Sequence, residues 1–355
     1  MSEKLVVAYG DIYQDWQLGA GDGTQPTNPI RAKLATEILR QHLGEAINVI
    51  DPLGEVNQTE VRADVIAALK SIHDSDYIDR TLAGNCSQWV GTKPAVAEAG
   101  LAMFAGTMRA TEMILNGETK VAFNPQGAKH HAQKASAEGF CAFNDMVWAA
   151  LEFQRKGLKP LYLDFDIHAG DGVYHMLKNT GVPTISIHNG AVYPWDSEMQ
   201  AGSGKRAEFH HPEAHAYNFN VAMGDGDDAF IWAMDAATLI IDSYQPDVIL
   251  LAAGADGHTG SSRLGQTNNY TEVGFRYAAE VVAKLAIQHA DGRVLIGGAG
   301  GYQPLKETPE TWALVVETIF NTVAGRNTVA SREAADGREA VAGRVNHVAL
   351  VGEAN

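Results

Sequence analysis

Asp164, Asp166 and His168 stand at the exit of an apolar run, KPLYLDFDIHAGDG, residues 159–172. A carboxylate removed from water needs an opposite charge, hydrogen bonds or a metal ion. Asp166 and His168, two apart on extended chain, point the same way and can share one ion. A second apolar run, VILLAAGA at 248–255, ends in Asp256. Two carboxylates and an imidazole make a three-ligand site suited to zinc and tolerant of iron or cobalt. Such a set leaves a position open for water, the catalytic rather than the structural arrangement. A buried hydrogen-bonded network without a metal is the other reading of the same residues.

His130 and His131 lie in GAKHHAQ, also past an apolar run. Imidazole serves as base and acid near neutral pH, as hydrolysis at a metal-activated water requires. Asp164 and Asp171 are spaced to accept from these histidines and fix their tautomers. An exposed polar loop would explain the same triplet. Tyr302 follows a glycine-rich turn, GGAGGYQ at 297–303, where a phenol can donate to a tetrahedral oxyanion. Such turns are also plain turns or phosphate sites. The helix-opening G-x-x-x-x-G-K-[ST] and G-x-G-x-x-G patterns are absent, which argues against nucleotide binding.

These groups need a scaffold. Strands are expected at 4–9, 119–124, 159–166, 183–188, 216–223, 246–254 and 292–300. Helical spacing marks 28–43, 60–72, 94–115, 144–157, about 227–243 and about 270–290. Strands alternating with helices imply an α/β fold, a mainly parallel sheet with helices on both faces. Ligands in such sheets sit beyond the carboxyl ends of the strands, where these polar clusters fall. Residues 1–325 are expected to form one catalytic domain, and 326–355 a terminal helix, a loose tail or an oligomer contact.

The chain has 355 residues, 45% of them hydrophobic, and a formal charge of −16 from 43 acidic and 27 basic residues. That field repels nucleic acid. The longest apolar stretch is far below the ~20 residues of a membrane span, so no membrane partner is expected. Cys86 and Cys141 make neither a disulfide framework nor a thiolate zinc site. With no secretory signal pattern at the start, a soluble cytoplasmic protein is expected.

GAKHHAQKASAEGFCAFND, YLDFDIHAGDGV, ISIH, LAAGADGHTG and GGAGGY, in this order, resemble the histone deacetylase superfamily. Its bacterial members include acetoin-utilisation proteins and acetylpolyamine amidohydrolases. NPIRAKL and IHDSDYIDRTL near the start are similar too, and the resemblance covers about residues 5–325. It implies an arginase/deacetylase-type three-layer fold. It also implies a zinc amidohydrolase that removes acetyl or another acyl group from acyl-lysine or a small acylated amine. Carried over by motif, Asp166, His168 and Asp256 match the zinc ligands. His131 with Asp171 matches the general base and acid, His130 with Asp164 its electrostatic companion, and Tyr302 the oxyanion donor. Phe140 and Tyr193 match the walls of the acyl-lysine channel. A structural potassium ion would use Asp164, Asp166, His168, Ser186 and the Ile187 carbonyl.

Several positions depart from that pattern. Ala169 follows His168 where many members have a second histidine, and Lys129 stands where an apolar residue is common. YPWDSEM at 193–199 replaces the usual Pro-Gly-Thr-Gly turn, and a polar insertion spans 201–217. Its His210, His211 and His215 could bind metal, but a hydrated loop is expected. The loop 82–94 lacks the aspartate with which peptide deacetylases grip the substrate backbone. Arg263, at the expected channel mouth, would disfavour polyamines and could hold a carboxylate, or it simply pairs at the surface.

Rival readings are weaker. A two-metal ureohydrolase needs D-x-H-x-D, and Gly170 stands at the third position. Acetylpolyamine deacetylation remains an alternative substrate choice. A non-catalytic acyl-ligand binder would have lost a ligand, a histidine or the tyrosine, and none is lost. The acidic surface could dock basic proteins, and a homo-oligomer is possible.

Overall fold

Successive residues of a strand point to opposite faces, and in this chain both faces are apolar. Leu161 and Leu163, Ile185 and Ile187, Ile249 and Leu251 fill one core, while Tyr162, Leu250 and Leu295 fill another. Strands buried on both sides belong in a parallel sheet covered by helices. The computed structural model has that arrangement, and it describes residues 3–19, 27–54, 58–199, 205–261 and 268–326. Arg263, residues 200–204 of the stretch before and within the insertion, and the tail beyond Arg326 lie outside the described residues.

The strands are β1 (Leu5–Ala8), β2 (Ile47–Ile50), β3 (Val121–Asn124), β4 (Pro160–Asp164), β5 (Thr184–Asn189), β6 (Ala207–His211), β7 (Ala216–Val221), β8 (Val248–Ala252) and β9 (Val294–Gly297). Among the described residues they form one nine-stranded sheet in the order β2-β1-β3-β9-β8-β4-β5-β7-β6. Every pairing is parallel except β6 with β7. The helices are α1 (Ile30–Leu43), α2 (Gln58–Ile72), α3 (Ser75–Leu82), α4 (Pro94–Leu115), α5 (Asp145–Arg155), α6 (Asp171–Leu177), α7 (Asp227–Tyr244), α8 (Glu272–His289) and α9 (Glu307–Val323). α1, α7, α8 and α9 pack into the first core, and α2, α4, α5 and α6 into the second. The result is the expected three-layer architecture. No helix of the described residues is long and apolar enough to cross a membrane.

Each expected strand is present. The sequence did not reveal β2, β6, α3, α6 and α9. α6 is only seven residues long and opens beside a glycine, too short for a periodic signal. Residues 207–217, expected as a hydrated loop, instead form the β6–β7 hairpin. β6 lies at the sheet edge, where only one side pairs, so polar residues are tolerated and guard against stray pairing. Its composition therefore imitates a loop.

Because the strands are parallel, their carboxyl ends share one edge of the sheet. β3, β9, β8 and β4 are consecutive neighbours, so the segments leaving residues 124, 297, 252 and 164 emerge side by side. One buried histidine braces this edge. His73 Nδ1–H donates to the Gln133 carbonyl (2.9 Å), just past the histidine pair, and its Nε2 accepts from Asn144 N–H (2.9 Å). On β5, His188 Nδ1 accepts from the Ser186 hydroxyl (2.8 Å) and its Nε2–H donates to the Met199 carbonyl (3.2 Å).

Both rings are used as neutral imidazoles, and burial pulls each down to about 4. The unfolded chain binds these protons near pH 6.5, so their contribution is present above that value and is lost as pH falls toward 4. Between pH 6.5 and 5.0 each should remove about 1.5 kcal/mol from the unfolding free energy. Urea titrations at the two pH values test this. A His73→Asn variant should lose about 1.5 kcal/mol less than the wild type, and an identical pH loss would contradict the assignment.

Candidate active site

The run leaving β4 carries Asp166 and His168, and the run leaving β8 carries Asp256. One ligand atom from each lies within 4.8 Å of the others, and all three residues are buried. His168 Nδ1 is 2.9 Å from Asp166 Oδ1 and 2.9 Å from Asp256 Oδ2. Backbone donors fix the remaining oxygens. Asp166 Oδ2 accepts from Gly300 N–H (2.7 Å), and Asp256 Oδ1 accepts from Ile167 N–H (3.1 Å). Asp256 Oδ2 is buried without a hydrogen bond.

An orphaned carboxylate oxygen turned toward a second carboxylate and an imidazole fits a bound cation. Burial, with Asp166 beside it, raises Asp256 to about 6. Burial also opposes the charge on Asp166, but His130 and His168 outweigh it and hold that carboxyl far below the usual range. Two oxygens and one nitrogen suit a divalent ion of the zinc, iron or cobalt type. The residues present therefore fit such a metal.

The histidine pair leaves β3 and folds over this cage. His130 Nδ1–H donates to Asp164 Oδ2 (2.8 Å), which also accepts from the Tyr162 hydroxyl (2.6 Å). His131 Nδ1–H donates to Asp171 Oδ1 (2.6 Å), and Gln133 Nε2 donates to the other oxygen of Asp171 (2.9 Å). Asp171 opens α6, so the helix missed in the sequence is what aims it. The two rings lie 4.0 Å apart between centroids, yet their protonation diverges. Burial disfavours charge on His130, but Asp164 and Asp166 overcome it and raise the ring to about 9. Burial, then the neighbouring His130, pulls His131 down to about 4. One ring is held as a cation and the other as a free base.

The Tyr302 ring centroid is 6.2 Å from that of His168, and that of His131 is 6.1 Å from it. Burial, then Asp256 and Asp166, push the phenol well above its ordinary pKa. It keeps its proton and so can donate. Tyr193 packs edge-on to His131 at 5.0 Å. Phe140 takes a positive φ of 65° and donates its backbone N–H to Gln88 Oε1 (2.7 Å). A Cβ at the preceding Gly139 would collide with the His131 ring, so the backbone leading into Phe140 runs against that ring. The structure thus brings Asp164, Asp166, His168, Asp171, Asp256, His130, His131, Tyr193, Phe140 and Tyr302 together. Ser186 pairs in register with Asp164, with Ile187 next to it on β5.

Other candidates are not part of this group. His210 Nε2 faces Glu208 (3.1 Å) and His211 Nε2–H donates to the Glu198 carbonyl (2.6 Å). Among the described residues the triad is the only cluster able to hold a metal. Tyr162, Gln133, Asp145 and Gly300 support the site but went unnoticed in the sequence. Asp145, the residue after the Asn144 cap of α5, accepts from the backbone N–H groups of Ala128 (3.0 Å) and Lys129 (2.8 Å) and so shapes the loop before the histidines. The FND sequence at a helix start was the available signal.

The comparisons with known proteins agree with this geometry. The acetoin utilization protein AcuC of Bacillus subtilis is 30% identical over 335 residues, covering 87% of this chain and 80% of that protein. Histone deacetylase 8 of Xenopus laevis is 28% identical over 250 residues, 69% of this chain and 72% of that protein. Histone deacetylase RPD3 of Saccharomyces cerevisiae is 31% identical over 230 residues, 62% of this chain but only 49% of that protein. The chain therefore spans about half the length of the yeast relative. The three-layer sheet is that of the arginase/deacetylase fold, and the histone deacetylase domain model matches residues 25–319. The chain belongs to the histone deacetylase family.

Proposed function

We propose that residues 1–325 form a zinc-dependent amidohydrolase that removes acetyl or another acyl group from acyl-lysine or a small acylated amine. The observation that carries this reading is geometric: the rings of His131 and Tyr302 lie 6.1 and 6.2 Å from that of His168, a member of one buried metal-competent triad. A divalent ion held by Asp166, His168 and Asp256 would supply electrophilic polarisation of the amide carbonyl and acidify water near neutral pH.

The remaining chemistry belongs to the chain. His131, its Nδ1–H held by Asp171, presents Nε2 to take a proton from the attacking water. The water oxygen bonds to the carbonyl carbon, and Tyr302 donates to the oxygen on which charge collects. The C–N bond then breaks, the amine leaves with the proton held by His131, and the acyl group departs as a carboxylic acid. His130 stays cationic between Asp164 and Asp166 and discourages early protonation of His131. Activity should therefore decline on the acid side as His131 gains its proton. Phe140 and Tyr193 support a slot for a straight aliphatic stem. Potassium held by Asp164, Asp166, His168, Ser186 and the Ile187 carbonyl would neutralise the floor of the site.

The test is acid release from acetyl-lysine peptides, N-acyl amino acids and acetylated polyamines, with and without chelator. Turnover should vanish on chelation and return best with zinc. Chelator-resistant turnover would refute the metal-dependent mechanism, and urea release with two metals per chain would replace the reading with a ureohydrolase.

A further inference from the structure

Lys129 is the residue just before the histidine pair, and it is only 7% exposed. A buried ammonium is ordinarily paired with a carboxylate, and this one is not among the described residues. Its Nζ reaches the Gln126 side-chain oxygen at 3.5 Å and lies 5.4 Å over the Trp16 ring. The nearby Asp145 is already occupied by Thr107 and by two backbone N–H groups. Arg31, 2% exposed, is a second buried cation without a carboxylate partner among the described residues. It donates to the Gly301 carbonyl and stacks 4.9 Å over Trp312.

The two cations meet at one junction. The turn of 124–129 is bonded to the turn of 297–301 through Gly298 N–H to the Asn124 carbonyl (3.0 Å) and Ala299 N–H to the Gly127 carbonyl (3.1 Å). Burial pulls Lys129 down to about 8, and Arg31 adds to that effect. Arg31 in turn feels Tyr302, Asp166 and Asp256, so the junction borders the catalytic cage. Around it, Arg31 Nε, Gln126 Nε2 and Trp16 Nε1 are buried donors with no acceptor among the described residues. Each such donor costs about 1–3 kcal/mol when left unpaired. Surplus buried donors and unpaired positive charge call for one kind of ligand, an anion with several acceptor lone pairs.

Resting on the amidohydrolase reading, we propose that Lys129 and Arg31 form a buried carboxylate-binding subsite for the far end of the acyl group. A substrate whose carbonyl oxygen faces Tyr302 sends its amine out past Phe140 and Tyr193, and its acyl tail inward past Gly301. An acetyl group carries no charge for the cations to bind. A succinyl or glutaryl group ends in a carboxylate that Lys129 and Arg31 can bind, with Gln126 and Trp16 as further donors. The chain then prefers acyl groups that carry their own carboxylate. The apolar residue common at the Lys129 position would lack this preference.

The test compares kcat/KM on succinyl-lysine and acetyl-lysine in one peptide, using the full zinc-loaded chain. The wild type should favour succinyl, and Lys129→Met should lower the succinyl-to-acetyl ratio by about tenfold or more, the loss of one charge-assisted bond. Lys129→Arg, which keeps the charge, should keep the preference, which separates this role from a folding defect. Calorimetric titration of chelated protein with glutarate and with acetate gives a readout independent of turnover. Glutarate should bind the wild type and bind Lys129→Met at least about tenfold more weakly. If neither peptide is hydrolysed, the acyl-lysine part of the amidohydrolase reading fails while the titration still decides the subsite. A ratio that moves less than twofold, together with unchanged glutarate binding, overturns the proposal. Equal binding of acetate and glutarate, lost together in the variant, overturns it as well and leaves a site for the released acid.

Discussion

Replacing Tyr302 by Phe should lower kcat by about 10²–10³-fold while leaving one divalent ion bound per chain. The phenol is buried beside the triad, and its acidity is suppressed by burial and by the two aspartates. On the proposed mechanism it therefore enters the reaction as an O–H donor that has kept its proton. Phe fills the same hole, so the loss falls on the transition state rather than on folding. The backbone anchor of this residue, Tyr302 N–H to the Ser261 carbonyl (2.7 Å), is untouched by the change. The check is kcat on the best acyl-amine substrate alongside metal analysis. Activity within threefold of wild type would remove Tyr302 from the mechanism, and loss of the ion would make its role structural.

A Gly300→Ala variant should lose metal affinity by about 100-fold, the upper end seen when groups supporting metal ligands are changed. A Cβ at this position would run into Oδ2 of both Asp166 and Asp256. Asp166 has no room to retreat. Asp166 Oδ2 is tied to the Gly300 N–H itself at 2.7 Å, and the Gly254 backbone closes the other side, where a Cβ would stand 2.5 Å from the Asp166 Cα. The added methyl must therefore move a ligand or the turn that braces it. Zinc retained after dialysis against graded chelator measures the effect, with circular dichroism as the control for folding. Full zinc retention would show that the turn yields, and the cage would then be softer than its packing indicates.

Much of this site was legible because chemistry and spacing coincide in short segments. Asp166 and His168 face one ion because two residues on extended chain share a side, a rule that holds before any tertiary contact forms. The strands carrying these groups were legible because both faces of each are apolar, which only a covered parallel sheet accommodates. The glycine-rich turn before Tyr302 was visible as a turn, but its reason was not. Gly300 is needed because two carboxylates from different strands crowd its Cα, and no local pattern records that.

The supporting residues were hidden for related reasons. Asp171 was legible as a partner for the histidines, but α6, which starts at it and turns its carboxylate onto His131, was not. The β6 edge reads as a polar insertion because an edge strand needs no apolar face. Arg31 reads as the surface residue of an amphipathic helix, and Lys129 as part of an exposed KHH loop. Their side chains are charged, and local sequence assigns charge to solvent. The stacking of the 124–129 turn on the 297–301 turn puts both inside, through hydrogen bonds between segments some 170 residues apart. The identity and spacing of the metal ligands, the two histidines and the tyrosine are thus properties of the local chain. The pairing of each with its carboxylate, the split in protonation between His130 and His131, and the burial of two cations beside the cage come from tertiary packing, because each depends on the low dielectric and the neighbours that distant segments supply.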